Sequence, residues 1–330
     1  MTKLKSIKIQ GFRGIREGEI KDFVDVNLLI GRNNSGKSTV VEAISLLYSR
    51  LVGQGSQDPL GRTPESIWRE IRKSDWSDSE SYYKRDQKHP IKLDATVRCF
   101  VSGEAFVDIQ CSFDSTKRVV SVLASFQTSM YFSKDDLEAK ARMFQAALFR
   151  PADGFNQGIE HKLWGRILEK RADKSLIKAF KEIFAVEVEQ LQLLPDSRFL
   201  VLFSDFSIAL DVQGDGTRAA LRCLMMLSAL RGTLFILEEP ESHQHPGSLE
   251  RFAAAICRQA KEQDVQLLIC THSLECVHAF LKAAHEATSE AALFHLKLDD
   301  GLLDATRLTP DAVETLQATG VDVRLLELYA

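Results

Sequence analysis

The stretch that decides the fold runs Val26-Asn27-Leu28-Leu29-Ile30-Gly31-Arg32-Asn33-Asn34-Ser35-Gly36-Lys37-Ser38-Thr39. A short apolar run ends at Gly31, the next residues fit G-x-x-x-x-G-K-[ST] in full, and a helical pattern follows from Lys37 to Leu51, with Val40, Val41, Ala43, Ile44 and Leu47 on one side. In that setting successive backbone N–H groups can curl around phosphate oxygens, and the helix N-terminus adds partial positive charge. Lys37 is placed for the β- and γ-phosphates and the Ser38 hydroxyl for Mg²⁺, with Gly31, Asn33, Asn34, Ser35, Gly36 and Thr39 completing a nucleotide cradle. A plain glycine turn capping a helix would not call for Lys37 and Ser38 together.

Two other strand ends carry matching chemistry. Thr233-Leu234-Phe235-Ile236-Leu237 runs into Glu238-Glu239-Pro240, the Walker B arrangement. Glu238 is expected to hold a water on the metal, as the second metal-side residue beside Ser38, and Glu239 to orient and deprotonate the attacking water. Glu238 stands where Asp is usual, and its extra methylene would have to fold back. Val265-Gln266-Leu267-Leu268-Ile269-Cys270 ends in Thr271-His272-Ser273, which puts His272 within reach of a γ-phosphate. Glu239 and His272 are therefore the catalytic candidates, and ATP with Mg²⁺ the expected ligand.

Val212-Gln213-Gly214-Asp215-Gly216-Thr217-Arg218 opens another helical stretch, 217–230, and so offers a second anion-binding helix N-terminus. One domain cannot easily turn two such sites on one triphosphate. Gly214, Asp215, Gly216 and Thr217 are thus expected to meet nucleotide on a second copy, giving two composite sites under two-fold symmetry. The alternative is an ordinary turn with Thr217 as cap.

Around these motifs, strand and helix patterns alternate from 206 to 284, which implies a mostly parallel sheet flanked by helices. Three strand-like segments at 91–101, 104–112 and 118–126 suggest an antiparallel meander, and helical periodicity runs from about 134 to 184. The organisation expected is α/β: a P-loop ATPase core in 1–75 and 186–330, with an N-terminal antiparallel β part, and an inserted lobe over 76–185 made of the meander 91–126 and helices in 134–184.

Composition narrows the classes. Of 330 residues 45% are apolar and 27% charged, an ordinary globular balance. A net charge of −4 excludes a chain that coats nucleic acid as a polycation. No apolar run approaches the ~18 residues of a membrane span, and the start lacks a secretory stretch, so no membrane contact is expected. Six cysteines without a C-x-x-C pair point to reducing, cytoplasmic surroundings. Asp211-Val212-Gln213-Gly214 fits D-x-x-G, but no N-K-x-D accompanies it. Six of the eight histidines lie between 243 and 295 without forming H-E-x-x-H, so no zinc site is expected. Over Lys162–Lys181 seven basic residues face two acidic ones, a solvated stripe or a contact for phosphate backbone, DNA included, or for an acidic partner.

With these residues in hand the chain resembles an ABC-type ATPase head of the RecF/SMC class, nearest to stand-alone ATPases of the overcoming-lysogenisation-defect (OLD) type. The likeness rests on Leu4-Lys5-Ser6-Ile7-Lys8-Ile9-Gln10-Gly11-Phe12-Arg13-Gly14-Ile15, on Asn27–Ile30 with its loop, on Glu238-Glu239-Pro240-Glu241-Ser242-His243-Gln244-His245-Pro246, and on Thr271-His272-Ser273. It implies that Gly214–Thr217 act as a signature motif in trans, that Ser242–Pro246 form the D-loop, and that Arg13 lies near the phosphates. The family's signature Ser aligns with Gly214 or is absent, and Gln127 and Gln145 are candidates for its Q-loop glutamine. No residues remain after the ATPase for the nuclease domain of many OLD relatives, so a nuclease or other toxin is expected on a separate chain. The implied function is an ATP-hydrolysing conformational engine, a homodimer or higher homo-oligomer, that controls a DNA-processing or effector partner in bacterial antiviral defence or DNA repair. The lack of a long heptad run argues against a tethering arm. The alternative is a non-hydrolysing, nucleotide-dependent scaffold, which Glu238 and the altered signature favour and the intact Glu239 and His272 disfavour.

Overall fold

The computed structural model describes residues 2–52, 90–102, 105–115, 119–125, 146–151, 157–196 and 198–329. The lobe boundary at 75–76, the helical reading of 134–145, and Gln127 and Gln145 lie outside the described residues.

Alternation of buried and half-exposed positions gives the N-terminal strands β1 (Thr2–Phe12) and β2 (Ile15–Lys21), while β3 (Val26–Ile30) is buried at all five positions. Helix α1 (Lys37–Val52) follows the glycine loop, and then come β4 (Lys92–Ser102), β5 (Ala105–Asp114), β6 (Val119–Ser125) and β7 (Ala146–Phe149). Helices α2 (Gln157–Glu169) and α3 (Asp173–Phe184) precede β8 (Gln190–Leu193), β9 (Phe199–Leu202) and β10 (Ser207–Ala209). The remainder alternates: α4 (Asp215–Ala229), β11 (Leu234–Glu238), α5 (Pro246–Glu262), β12 (Gln266–Cys270), α6 (Leu274–Glu286), β13 (Ala291–Asp299), β14 (Leu302–Leu308) and α7 (Pro310–Ala318), with a 3-10 helix at Val323–Leu328.

Among the described residues one sheet takes eleven strands in the order β6-β5-β4-β1-β2-β14-β13-β3-β12-β11-β7. From β13 to β7 every pairing is parallel, and from β6 to β2 every pairing is antiparallel. The parallel half is buried on both faces, as its near-continuous apolar strands require. Phe235, Leu237, Leu267 and Ile269 join the layer of α2 to α6, whereas Ile236 and Leu268 turn to the other face, where α1 lies. There the sheet curls around α1: Val40, Val41, Ile44 and Leu47 pack in one cluster with Ile9, Leu93 and Phe113 of the antiparallel half and Leu29 and Leu148 of the parallel half. The helix that carries the nucleotide motif is thus gripped from both sides.

Two buried amides bind the main chain here, and Gln266 joins β12 to β1. Gln266 accepts from the Leu4 N–H at 2.8 Å and donates to the carbonyls of Leu4 and Val24 at 3.0 and 2.7 Å. Asn27 accepts from Val24 N–H at 2.8 Å and donates to the carbonyls of Val24 and Leu267 at 2.9 and 3.0 Å. Each side chain satisfies main-chain groups that the sheet ladder leaves over.

Three expectations are corrected. Residues 146–149, within the stretch read as helical, form β7, because their apolar run completes the edge beside β11. The strand pattern that opens at 206 does not join the main sheet: β10 pairs with β9, and β9 with β8, in a separate antiparallel sheet. The basic stripe over 162–181 is not one helix: a turn at 170–172, with Arg171 at φ +53°, breaks it into α2 and α3. Lys170 is spent on the Ala229 carbonyl at 2.8 Å and Lys181 on Glu187 at 3.1 Å. The expected meander exists as β4 to β6, and β4 pairs with β1, so it extends the main sheet.

Candidate nucleotide site

Parallel register sets three strand ends abreast. Glu238 pairs with Cys270, and Cys270 with Leu29, so the two acidic residues, the Thr-His-Ser segment and the glycine loop leave the sheet at one level. The main chain continues the alignment one step: Glu239 N–H donates to Cys270 O at 2.8 Å, and Thr271 N–H to Leu29 O at 3.2 Å. This is the carboxyl edge of an open parallel sheet, where ligands of such folds sit.

The loop needs its glycines. A Cβ at Gly31, whose φ is +147°, would stand 2.4 Å from the Leu296 carbonyl oxygen, and Gly36 holds φ +95°. Asn34 takes the left-handed region at φ +66°, which Asn tolerates better than most residues. Inside the loop Lys37 is buried and donates to the carbonyls of Gly31 and Arg32 at 2.7 and 2.9 Å and contacts Ser35 Oγ at 3.3 Å. Burial brings the Lys37 ammonium down to about 8, against the opposing pull of Glu239 and Glu238.

Ser38 Oγ donates to Glu238 Oε1 at 2.6 Å. These are two hard oxygen donors side by side, a donor set that fits Mg²⁺, which keeps most of its waters and takes one or two protein oxygens. Glu239 follows at φ +51°, a strained setting that turns its side chain away from the strand line. Its Oε1 lies 3.8 Å from His272 Nε2. Burial first, and the Lys37 charge second, lower the His272 imidazole below its usual range.

Asn33, Asn34, Ser35, Gly36, Lys37, Ser38, Thr39, Glu238, Glu239 and His272 line one cleft of about 840 Å³, together with Arg13, Gly14, Arg150, Pro151, Ser242 and Leu298. Arg13 sits at the tight turn between β1 and β2 with φ +51°, and its guanidinium is hydrogen-bonded to the fully buried carboxylate of Glu42 on α1. The cleft therefore brings together the predicted loop, both strand-end acids, His272 and Arg13.

Gly214, Asp215, Gly216 and Thr217 do not line this cleft. Gly214 caps α4, and the next three residues form its first turn. Asp215 is ion-paired with Arg218 one turn on, which holds its carboxyl below the usual carboxylate range. Gly216 lies against the D-loop: Gln244 Nε2 donates to its carbonyl at 2.8 Å, and a Cβ there would meet the His243 carbonyl oxygen at 2.3 Å. Gly216 and the loop that carries His243 and Gln244 are thus in direct contact.

Sequence reasoning missed Arg150 and Glu42. Arg150 follows β7 as Glu238 ends β11, and its Nε donates to Glu238 Oε2 at 2.5 Å. The signal was present: Ala146-Ala147-Leu148-Phe149-Arg150-Pro151 has the same form, apolar run then charge then proline, as Leu234–Pro240. Helical periodicity around it hid the resemblance.

Comparison with known proteins agrees with this geometry. A family model described as "AAA ATPase domain" matches residues 2–153, and one described as "AAA domain, putative AbiEii toxin, Type IV TA system" matches residues 142–277. An uncharacterized protein of Methanocaldococcus jannaschii is 27% identical over 112 residues, which is 34% of this chain and 98% of that protein. A Helicobacter pylori protein named ATP/GTP phosphatase is 29% identical over 113 residues, 33% of this chain and 28% of that protein, so the match spans little more than a quarter of its length. The SMC head domain from Thermotoga maritima superposes with a TM-score of 0.54 at 14% identity, covering 93% of this chain and 99% of that one. The Smc head from Pyrococcus furiosus, solved with an extended coiled coil and bound to the C-terminal domain of ScpA, gives 0.57 at 11% identity, covering 97% and 99%. The fold is that of an SMC-type ATPase head, and the chain is similar over residues 2–153 and 142–277 to AAA ATPase domains.

Proposed function

We propose that the cleft binds ATP with magnesium and hydrolyses it, and that two copies close on two nucleotides to drive a partner. The observation that carries this reading is the convergence of Lys37, Ser38, Glu238, Glu239 and His272 in one cleft from three aligned strand ends. Lys37 leaves the loop carbonyls for the β- and γ-phosphates. Ser38 and Glu238 hold the metal, which when bound supplies positive charge against the phosphate oxygens. Glu239 takes the proton of the attacking water, and His272, held 3.8 Å away, orients that water and the γ-phosphate. Arg13, anchored by Glu42, adds a cation at the rim.

The contact of Gly216 with the His243–Gln244 loop supports closure in trans: Gly214–Thr217 do not line the cleft of their own copy and on this reading complete that of a second one. Such a dimer would transmit its opening and closing to an effector on another chain, a nuclease or other toxin, in cytoplasmic antiviral defence or DNA repair. The exposed cations Lys162, Arg166, Lys174 and Lys178 are the surface we assign to DNA, should it be bound. No helix among the described residues is long and apolar enough to cross a membrane.

The test is ATP turnover per chain against protein concentration, with Lys37→Ala as control. Turnover that rises with concentration and vanishes in Lys37→Ala supports the reading. ATP binding with no turnover at any concentration would replace it with the scaffold reading, and ATP binding unchanged in Lys37→Ala would remove the site.

A further inference from the structure

Arg150 is a third cation of the cleft, beside Lys37 and Arg13, and its position is set by the backbone. β7 pairs in parallel with β11, with Phe149 opposite Leu237, so Arg150 comes level with Glu238 at the carboxyl edge. Nε and Nη2 both lie 2.5 Å from Glu238 Oε2, while Oε1 of the same carboxylate takes the Ser38 hydroxyl at 2.6 Å. Both side chains are largely buried, 16% and 13% exposed. Lys37 and Arg150 therefore rest differently. Lys37 lies on neutral carbonyls of the loop that wraps the phosphates, whereas Arg150 approaches from the opposite, edge side and is neutralised by the carboxylate at the metal position.

This arrangement explains why Glu stands at 238. One carboxylate reaches Ser38 with one oxygen and Arg150 with the other, a bridge for which the extra methylene is used. It also makes the pair conditional. Both guanidinium contacts fall on a single oxygen, so the fork is not in the parallel bidentate geometry in which it binds most strongly. With a magnesium ion held at Ser38 and Glu238, the carboxylate has its charge balanced without Arg150. A terminal phosphate then offers the guanidinium a better partner, with several oxygens in the planar spacing that Arg matches.

We infer that Arg150 is the residue by which the cleft tells a nucleoside triphosphate from a diphosphate: paired with Glu238, it transfers to the γ-phosphate when the triphosphate enters. No bond forms or breaks in this step, since one charge-assisted hydrogen bond replaces another. The inference rests on the ATP-site reading above. It assigns Lys37 to both nucleotides and Arg150 to the triphosphate alone, and so predicts a selective loss.

The experiment is calorimetric titration of the full chain with Mg·AMPPNP and Mg·ADP, for wild type, Arg150→Ala, Arg150→Lys and Lys37→Ala. Arg150→Ala should weaken AMPPNP by roughly 10- to 100-fold, the worth of one charge-assisted hydrogen bond, while ADP stays within about threefold. Arg150→Lys should recover only part of the loss, because it restores the charge without the fork. Equal weakening of both nucleotides, or of neither, overturns the inference while leaving the site intact. Wild type that binds neither nucleotide, or Lys37→Ala that binds as wild type, overturns the site reading itself and the inference with it. A second readout guards against a poorly folded Arg150→Ala. In EDTA, Glu238→Gln releases Arg150 from its neutralising partner and should tighten AMPPNP more than ADP, and an equal gain for both would count against the transfer.

Discussion

Ser38 and Glu238, 200 residues apart in the chain, share a 2.6 Å hydrogen bond that joins the first turn of α1 to the end of β11. It sets two hard oxygens together where a magnesium ion would sit, so removing the hydroxyl should uncouple the metal more than the nucleotide. In Ser38→Ala, nucleotide affinity measured with and without EDTA should differ by less than about threefold, where the wild type should differ by tenfold or more, one metal–oxygen contact being worth more than a neutral hydrogen bond. A full magnesium effect in Ser38→Ala would move the metal away from this pair.

Glu239→Gln should leave nucleotide binding intact and slow hydrolysis by ~10²-fold or more, the usual cost of losing a general base. It should also accumulate an ATP-bound dimer, visible by sedimentation or size exclusion. Hydrolysis at the wild-type rate would transfer the role of base to another group, with Glu238 next in line.

The signature is better probed at Gly214 than at Gly216. A Cβ at Gly214 meets nothing within 4 Å, whereas one at Gly216 meets the His243 carbonyl oxygen at 2.3 Å. Gly214→Arg should therefore keep the melting temperature and nucleotide binding of the wild type while blocking ATP-driven dimerisation. Gly216→Arg should disturb the loop at His243 and destabilise the chain by about 1–3 kcal/mol of overpacking, seen as a lowered melting temperature. Mixing Gly214→Arg with Lys37→Ala should restore part of the ATPase, since the heterodimer holds one sound composite site. A Gly214→Arg chain that still dimerises on ATP would sink the trans arrangement.

Gln266 offers a test of the fold. Replacing it with Leu keeps the volume roughly but takes this partner from the Leu4 N–H and the Leu4 carbonyl, while the Val24 carbonyl keeps its hydrogen bond from Asn27. At about 1–3 kcal/mol for each buried unsatisfied group, Gln266→Leu should destabilise the chain by about 2 kcal/mol or more in denaturant unfolding. A change under 1 kcal/mol would mean that Gln266 adds little to the β14 and β13 ladders that already join the two halves of the sheet.

The amino-acid sequence by itself determined the parts whose chemistry is local. Gly31–Thr39 specify their own turn and helix start, because glycine freedom, a lysine and a hydroxyl at fixed spacing carry the motif without outside help. Strand β3 fell on its read limits, Val26–Ile30, since an apolar run bounded by a turn is legible in isolation. The strand-end acids and His272 were legible for the same reason. What the tertiary structure alone decided is which strand ends stand abreast and which charges face each other across them. Ala146–Phe149 became a strand because β11 offered an open edge, a choice no local periodicity records, and with that pairing Arg150 arrived beside Glu238. Glu42 became the anchor of Arg13 only because the sheet curls around α1 and buries that carboxylate against the β1–β2 turn. Local propensity encodes elements, whereas a charge pair between distant segments exists only once burial has fixed their register and removed the water that would otherwise serve each charge alone.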